Sequence, residues 1–104
     1  MVLIGLDIGT SGCKATLADL NGQVISQAYR EYPLHSDQPG WQEIDPEQVW
    51  SAVREVIAAA VDAHMKSPVR AISVSSFGEA VAAFDANGRT LSRSKRYIDS
   101  RGIA

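Results

Sequence analysis

The chain has 104 residues, 45% of them hydrophobic and 21% charged, with a formal net charge of −2. This balance excludes a disordered tail, and a chain of this length can bury ~60–65% of its unfolded surface. The charge gives no footing for nucleic acid or an anionic membrane, and a single cysteine excludes a disulfide framework or a cysteine-rich zinc site.

No apolar run approaches the ~20 residues that span a bilayer, so a cytoplasmic protein is expected, with no membrane or nucleic-acid partner. Residues 2–8 read as a buried strand, a β-rich apolar run closed by Gly9. Gly9-Thr10-Ser11-Gly12 reads as a tight turn, its glycines supplying backbone freedom. Residues 13–19 alternate, with Cys13, Ala15 and Leu17 on one face and Lys14, Thr16 and Ala18 on the other. Asn21-Gly22 is a strong hairpin signal, so residues 23–32 return as a third strand of an antiparallel meander.

Residues 33–44 read as irregular, with a turn at Pro39-Gly40. Asp45-Pro46-Glu47 announces a helix over about 46–66, with Asp45 as cap and Pro46 at the first helical position. Val49, Trp50, Val53, Val56, Ile57, Ala60, Val61 and His64 form its apolar stripe. Residues 69–77 predict a strand with Ile72 and Val74 on its inner side, and residues 80–84 another. Asp85-Ala86-Asn87-Gly88 is a turn, and residues 89–91 begin a short return. The order βββ–α–ββ predicts an α/β layer with one crossover helix. One helix covers one face of the sheet, so the chain is expected to be part of a larger domain and to self-associate through exposed sheet edges.

The segment with most chemistry is Asp7-Ile8-Gly9-Thr10-Ser11-Gly12-Cys13-Lys14. It is neither a Gly-Lys-Ser/Thr phosphate loop nor a GxGxxG turn. A strand ending in a carboxylate, then a Gly/Thr/Ser turn, can offer backbone N–H groups and two hydroxyls to phosphate. Asp7 can hold a hydrated Mg²⁺ there, and Lys14 adds a point charge. The same octapeptide also reads as a plain hairpin whose Asp and Thr cap the turn, and both readings stay open on these residues alone. Trp41 and Trp50 read as packing residues, Cys13 as an inert buried thiol and His35 as solvated. The cations at Arg89, Arg93, Lys95, Arg96 and Arg101 read as a solvated face.

Leu6 to Lys14 resembles the first phosphate loop of the actin/Hsp70/sugar-kinase ATPases. Pro39-Gly40-Trp41-Gln42-Glu43-Ile44-Asp45-Pro46 with Val49-Trp50 resembles a segment of the FGGY-family carbohydrate kinases, a xylulokinase- and gluconokinase-like group. Residues 72–79 with 84–88, and Tyr97-Ile98-Asp99-Ser100-Arg101, resemble two further segments in the same order. The resemblance implies the N-terminal portion of a ribonuclease H-like (actin-like ATPase) α/β fold. Its implied parts are a phosphate hairpin at 7–14, a covering helix and sugar-side strands over 69–91.

The resemblance also implies a role for each matching residue. Asp7 would meet Mg²⁺-bound phosphates of ATP through water, Gly9, Thr10, Ser11 and Gly12 would form the hairpin, and Lys14 would assist. Gly78 and Glu79 stand where the family contacts sugar hydroxyls with Arg-Glu or Met-His, a departure that bears on the substrate. Tyr97 replaces a usual Trp, and Asp99 and Arg101 would line or brace the cleft. The implied activity is phosphorylation of a sugar, ketose, sugar acid or polyol by a longer parent. The general base would lie beyond residue 104, leaving this chain inactive alone. The hairpin alone also suits an actin- or Hsp70-like ATPase fragment, and the α/β layer alone suits a non-catalytic interaction module.

Overall fold

The computed structural model describes residues 1–62, 66–78 and 80–95. Strand β1 (Val2–Ile8) pairs antiparallel with β2 (Gly12–Asp19), which pairs antiparallel with β3 (Val24–Glu31). Short strands β4 (Leu34–His35) and β5 (Glu43–Ile44) precede helix α1 (Pro46–Asp62). Strand β6 (Val69–Ser76) then runs parallel to β1, giving the order β3-β2-β1-β6. The helix is therefore the crossover that a parallel pair requires. The expected meander and crossover are both present.

The Asn21-Gly22 turn is built as its residues dictate. Gly22 has φ +82°, and the Asp19 carboxylate accepts the N–H groups of Asn21 (2.9 Å) and Gln23 (3.0 Å). The same device recurs at Asp85, whose carboxylate accepts Asn87 and Arg89 N–H ahead of Gly88 at φ +81°. Asp45 caps α1 by accepting the Glu47 N–H at 2.9 Å.

The core lies between α1 and the meander. Cys13, Ala15 and Leu17 of β2 are buried against Ala52, Val53, Val56 and Ala60 of the helix. Ser26 Oγ donates to the Ala60 carbonyl at 2.7 Å, fastening the helix end to β3. Strand β1 buries Val2, Ile4 and Leu6 but leaves Leu3, Gly5 and Asp7 exposed, so its apolar run is covered on one face, not two.

Several expectations need correction. Residues 33–44 are not wholly irregular, because β4 and β5 form a second sheet with β7 (Ser94–Lys95) in the order β4-β5-β7. Residues 80–84 form no strand among the described residues; they make single bridges, Val81 to Lys95 and Phe84 to Thr90. Ile72 and Val74 lie opposite Ile4 and Leu6, hence on the core-side face, yet they are 50% and 57% exposed. The reason is that α1 packs on β2 and β3, leaving β6 uncovered. Trp50 is likewise 59% exposed rather than packed. His35 is half-buried, its Nε2 2.9 Å from Gln48 Oε1. Arg93 is engaged by Asp37 at 2.5 Å and by buried Glu43 at 3.6 Å, so it is no freely solvated cation. His64 and Arg96 lie outside the described residues.

Candidate functional site

The β1–β2 hairpin brings the predicted residues Asp7, Gly9, Thr10, Ser11, Gly12 and Lys14 to one end of the sheet. Asp7 pairs with Lys14 across β1 and β2, and the register continues to Ser75 on β6 and Tyr29 on β3. These four residues form a row across the face opposite α1, where Asp7, Lys14, Tyr29 and Ser75 are all exposed. A carboxylate and an ammonium thus stand in neighbouring positions beside the turn.

The turn closes with the Gly9 N–H donating to the Gly12 carbonyl at 2.9 Å. Neither of its glycines has a positive φ. What they supply is space. A Cβ on Gly12 would sit 2.6 Å from the Arg30 carbonyl oxygen and against the Tyr29 phenol, and one on Gly9 would sit 3.1 Å from the Gly12 carbonyl. The expected backbone freedom is therefore corrected to a demand for close approach. Among the described residues, the side chains of Thr10 and Ser11 have no hydrogen-bond partner, and Ser11 is exposed.

Behind the turn stands Tyr32, which sequence reasoning missed. It is 6% exposed. Its phenol meets the carbonyls of Gly9 and Gly12, the latter at 3.0 Å, and its N–H donates to the Ser11 carbonyl at 3.2 Å. Burial, with smaller effects from Cys13, Tyr29 and Asp7, pushes its phenol up to about 12, so it remains a neutral donor at physiological pH. No local signal marks it: the β2–β3 register shifts by one residue between Leu17 and Ala18, and that shift sets Tyr32 opposite Ser11. Cys13 is 1% exposed, and burial pushes its thiol up, as befits an inert core cysteine.

Gly78 is exposed, and a Cβ added there would meet nothing within 4 Å. It follows β6, whose end is tied to the hairpin strand by Phe77 N–H donating to the Ile8 carbonyl at 2.9 Å. Because β1 and β6 are parallel, both candidate segments leave the same end of the sheet. That is where open α/β sheets place ligands. Glu79, Tyr97, Asp99 and Arg101 lie outside the described residues. Among the described residues no three His, Cys, Asp or Glu side chains gather as a metal cage.

The N-terminal-domain model of the FGGY family of carbohydrate kinases matches residues 2–104. The chain belongs to that family. It is 38% identical over 84 residues to a glycerol kinase of Gloeobacter violaceus, covering 81% of this chain and 17% of that protein. It is 32% identical to a xylulose kinase of Escherichia coli, covering 94% of this chain and 20% of the relative. The crystal structure of a xylulose kinase from Rhodospirillum rubrum superposes with a TM-score of 0.90 at 35% identity, covering 97% of this chain and 21% of that one. The mixed α/β fold is thus that of the sugar-kinase branch of the actin-like ATPases. The chain spans about a fifth of the length of these relatives. Family membership favours the carbohydrate-kinase expectation over the actin-like and non-catalytic ones.

Proposed function

We propose that this chain is the phosphate-side, N-terminal part of an ATP-dependent kinase that phosphorylates a hydroxyl of a sugar, ketose, sugar acid or polyol. The observation that carries this reading is the hairpin: Asp7 and Lys14 side by side, with a turn whose carbonyls at Gly9, Ser11 and Gly12 are all held from behind. Phosphoryl transfer demands positioning and charge neutralisation more than covalent chemistry. The hairpin's unpartnered hydroxyls and the ammonium of Lys14 suit phosphate oxygens, and the exposed Asp7 carboxylate suits a hydrated cation. Magnesium bound with the nucleotide supplies charge neutralisation of the phosphates. Asp7 would hold it through water.

Gly78 and Glu79 would meet the acceptor, with Tyr97 as an aromatic wall and Asp99 and Arg101 lining or bracing the cleft. Gly78 brings backbone and room rather than a side chain, which favours an acceptor larger than one matched to an arginine or methionine there. The general base would come from residues after 104, so this chain alone would not turn over. In this reading residues 1–104 are a partial domain, with the hairpin at 7–14 and the sugar side over 69–91. No described helix is long and apolar enough to cross a membrane, and a cytoplasmic location accompanies the reading. The bare β6 edge supports self-association of the isolated chain.

The test is a turnover assay of the chain with Mg-ATP against pentuloses, hexuloses, gluconate and glycerol. It is run beside the same assay of the complete reading frame that carries the chain. The expected result is turnover of one acceptor by the longer protein, abolished by Asp7→Ala, and none by the chain. Turnover by the chain would overturn the partial-domain reading. An Asp7→Ala enzyme with full activity would overturn the role of the hairpin.

A further inference from the structure

A phosphate-binding turn has to solve a problem of sign. Each peptide unit carries a donor and an acceptor, and a carbonyl oxygen facing the ligand repels it as strongly as an N–H attracts it. In this hairpin the Gly9 N–H takes the Gly12 carbonyl, and Tyr32 engages all three carbonyls from behind. The Tyr32 phenol reaches those of Gly9 and Gly12, and the Tyr32 N–H takes that of Ser11. A phenol has one proton and donates it to one carbonyl at a time; the Gly12 carbonyl also accepts the Gly9 N–H at 2.9 Å, so the phenol matters most at Gly9. The contacts lie on the protein side of the turn, and Tyr32 is itself buried.

We propose that Tyr32 is a positioning residue that turns the hairpin's carbonyl oxygens inward, so that its exposed edge presents donors to a phosphate anion. The inference rests on the phosphate-binding reading given above and assigns the residue that makes the turn competent for it. Since a trans peptide sends its C=O and N–H opposite ways, drawing the Gly9 carbonyl inward directs the Thr10 N–H outward. Thr10 and Ser11, whose side chains have no partner among the described residues, stand on that outer edge. Tyr32 does not touch the anion; it acts through the backbone of residues 9–12. A phenylalanine there would keep the buried ring and remove the hydroxyl, so that the Gly12 carbonyl keeps the Gly9 N–H while the Gly9 carbonyl loses the phenol, leaving the Gly9–Thr10 peptide plane free to turn.

The experiment uses the 104-residue chain, isotope-labelled, with magnesium tripolyphosphate as probe, since that anion needs no adenine pocket. Tyr32→Phe is compared with Ser26→Ala, which removes a hydroxyl-to-carbonyl bond of the same chemistry from the far side of the core, at Ala60. In Tyr32→Phe the amide resonances of residues 9–13 are expected to move without ligand. Affinity for the probe is expected to fall by about tenfold, the worth of one hydrogen bond. Ser26→Ala, at similar cost in thermal stability, is expected to keep both. Wild-type affinity in Tyr32→Phe, or an equal loss in Ser26→Ala, would overturn the assignment. If the wild-type hairpin amides fail to respond to millimolar probe, the phosphate-binding reading itself falls and takes the assignment with it. That outcome is told apart from the others because the unsubstituted chain fails as well.

Discussion

Replacing Gly12 with alanine isolates the close approach on which the hairpin depends. The added Cβ would lie 2.6 Å from the Arg30 carbonyl oxygen and against the Tyr29 phenol. Ordinary contact needs about 3.5 Å, so β2 and β3 must part by roughly 1 Å at this point. The phenol can swing aside, but the Arg30 carbonyl is backbone, held in the Cys13–Arg30 register, and cannot rotate away. Overpacking of this kind costs about 1–3 kcal/mol, against ~5–15 kcal/mol for a whole domain. For a domain of this size that is a fall in Tm of roughly 4–24 °C. Gly5→Ala is the matched control: Gly5 lies in the middle of β1 with nothing within 4 Å of its added methyl. It is expected within about 0.5 kcal/mol of wild type, or slightly more stable. Urea unfolding followed by circular dichroism measures both. Equal midpoints for Gly12→Ala and Gly5→Ala would refute the steric account of the turn.

Leu17→Ala, fully buried on β2 under α1, should cost about 2–5 kcal/mol, read as a lower urea midpoint with an unchanged slope. The Tyr32 phenol is raised from 10 to about 12, so the native state keeps a proton that the unfolded chain loses. Stability attributable to it should be intact below pH 10 and fall by about 2–3 kcal/mol by pH 12. Tyr32→Phe should lack that component of the alkaline decline, and identical pH slopes for the two proteins would refute it. The isolated chain should self-associate with rising concentration in light scattering, and Ile72→Lys, which places a charge on the uncovered strand β6, should abolish this. A wild-type chain monomeric at all concentrations would refute that prediction.

Much of the fold was legible because short-range chemistry decided it. Asn21-Gly22, the Asp45-Pro46 helix start and the alternation of Cys13, Ala15 and Leu17 each act within a few residues, and each is found in place. Periodicity told which face Ile72 and Val74 occupy but not whether anything covers it. Cover depends on where α1 lies, and α1 lies over β2 and β3. The β4-β5-β7 sheet was hidden because its strands are two residues long and join segments fifty residues apart. At the site, Asp7 to Lys14 were readable as a contiguous motif. The reason for Gly12 was not, since it lies in a neighbouring strand. Tyr32 carries no motif; only the register of β3 against β2 brings it behind the turn.

The attachment of β6 has a consequence for the order in which the sheet comes apart. Its side chains are exposed along its whole length, and among the described residues its pairing is with β1 alone. Backbone hydrogen bonds to one neighbour hold it, whereas β2 is clamped between two strands and a helix. Local opening is cheapest where few apolar contacts must be broken. Amide protons of β6 should therefore exchange through detachment of that strand while β1, β2, β3 and α1 stay closed. The hairpin would then keep its shape while the segment leading to Gly78 comes and goes, so that the two ends of the site differ in rigidity.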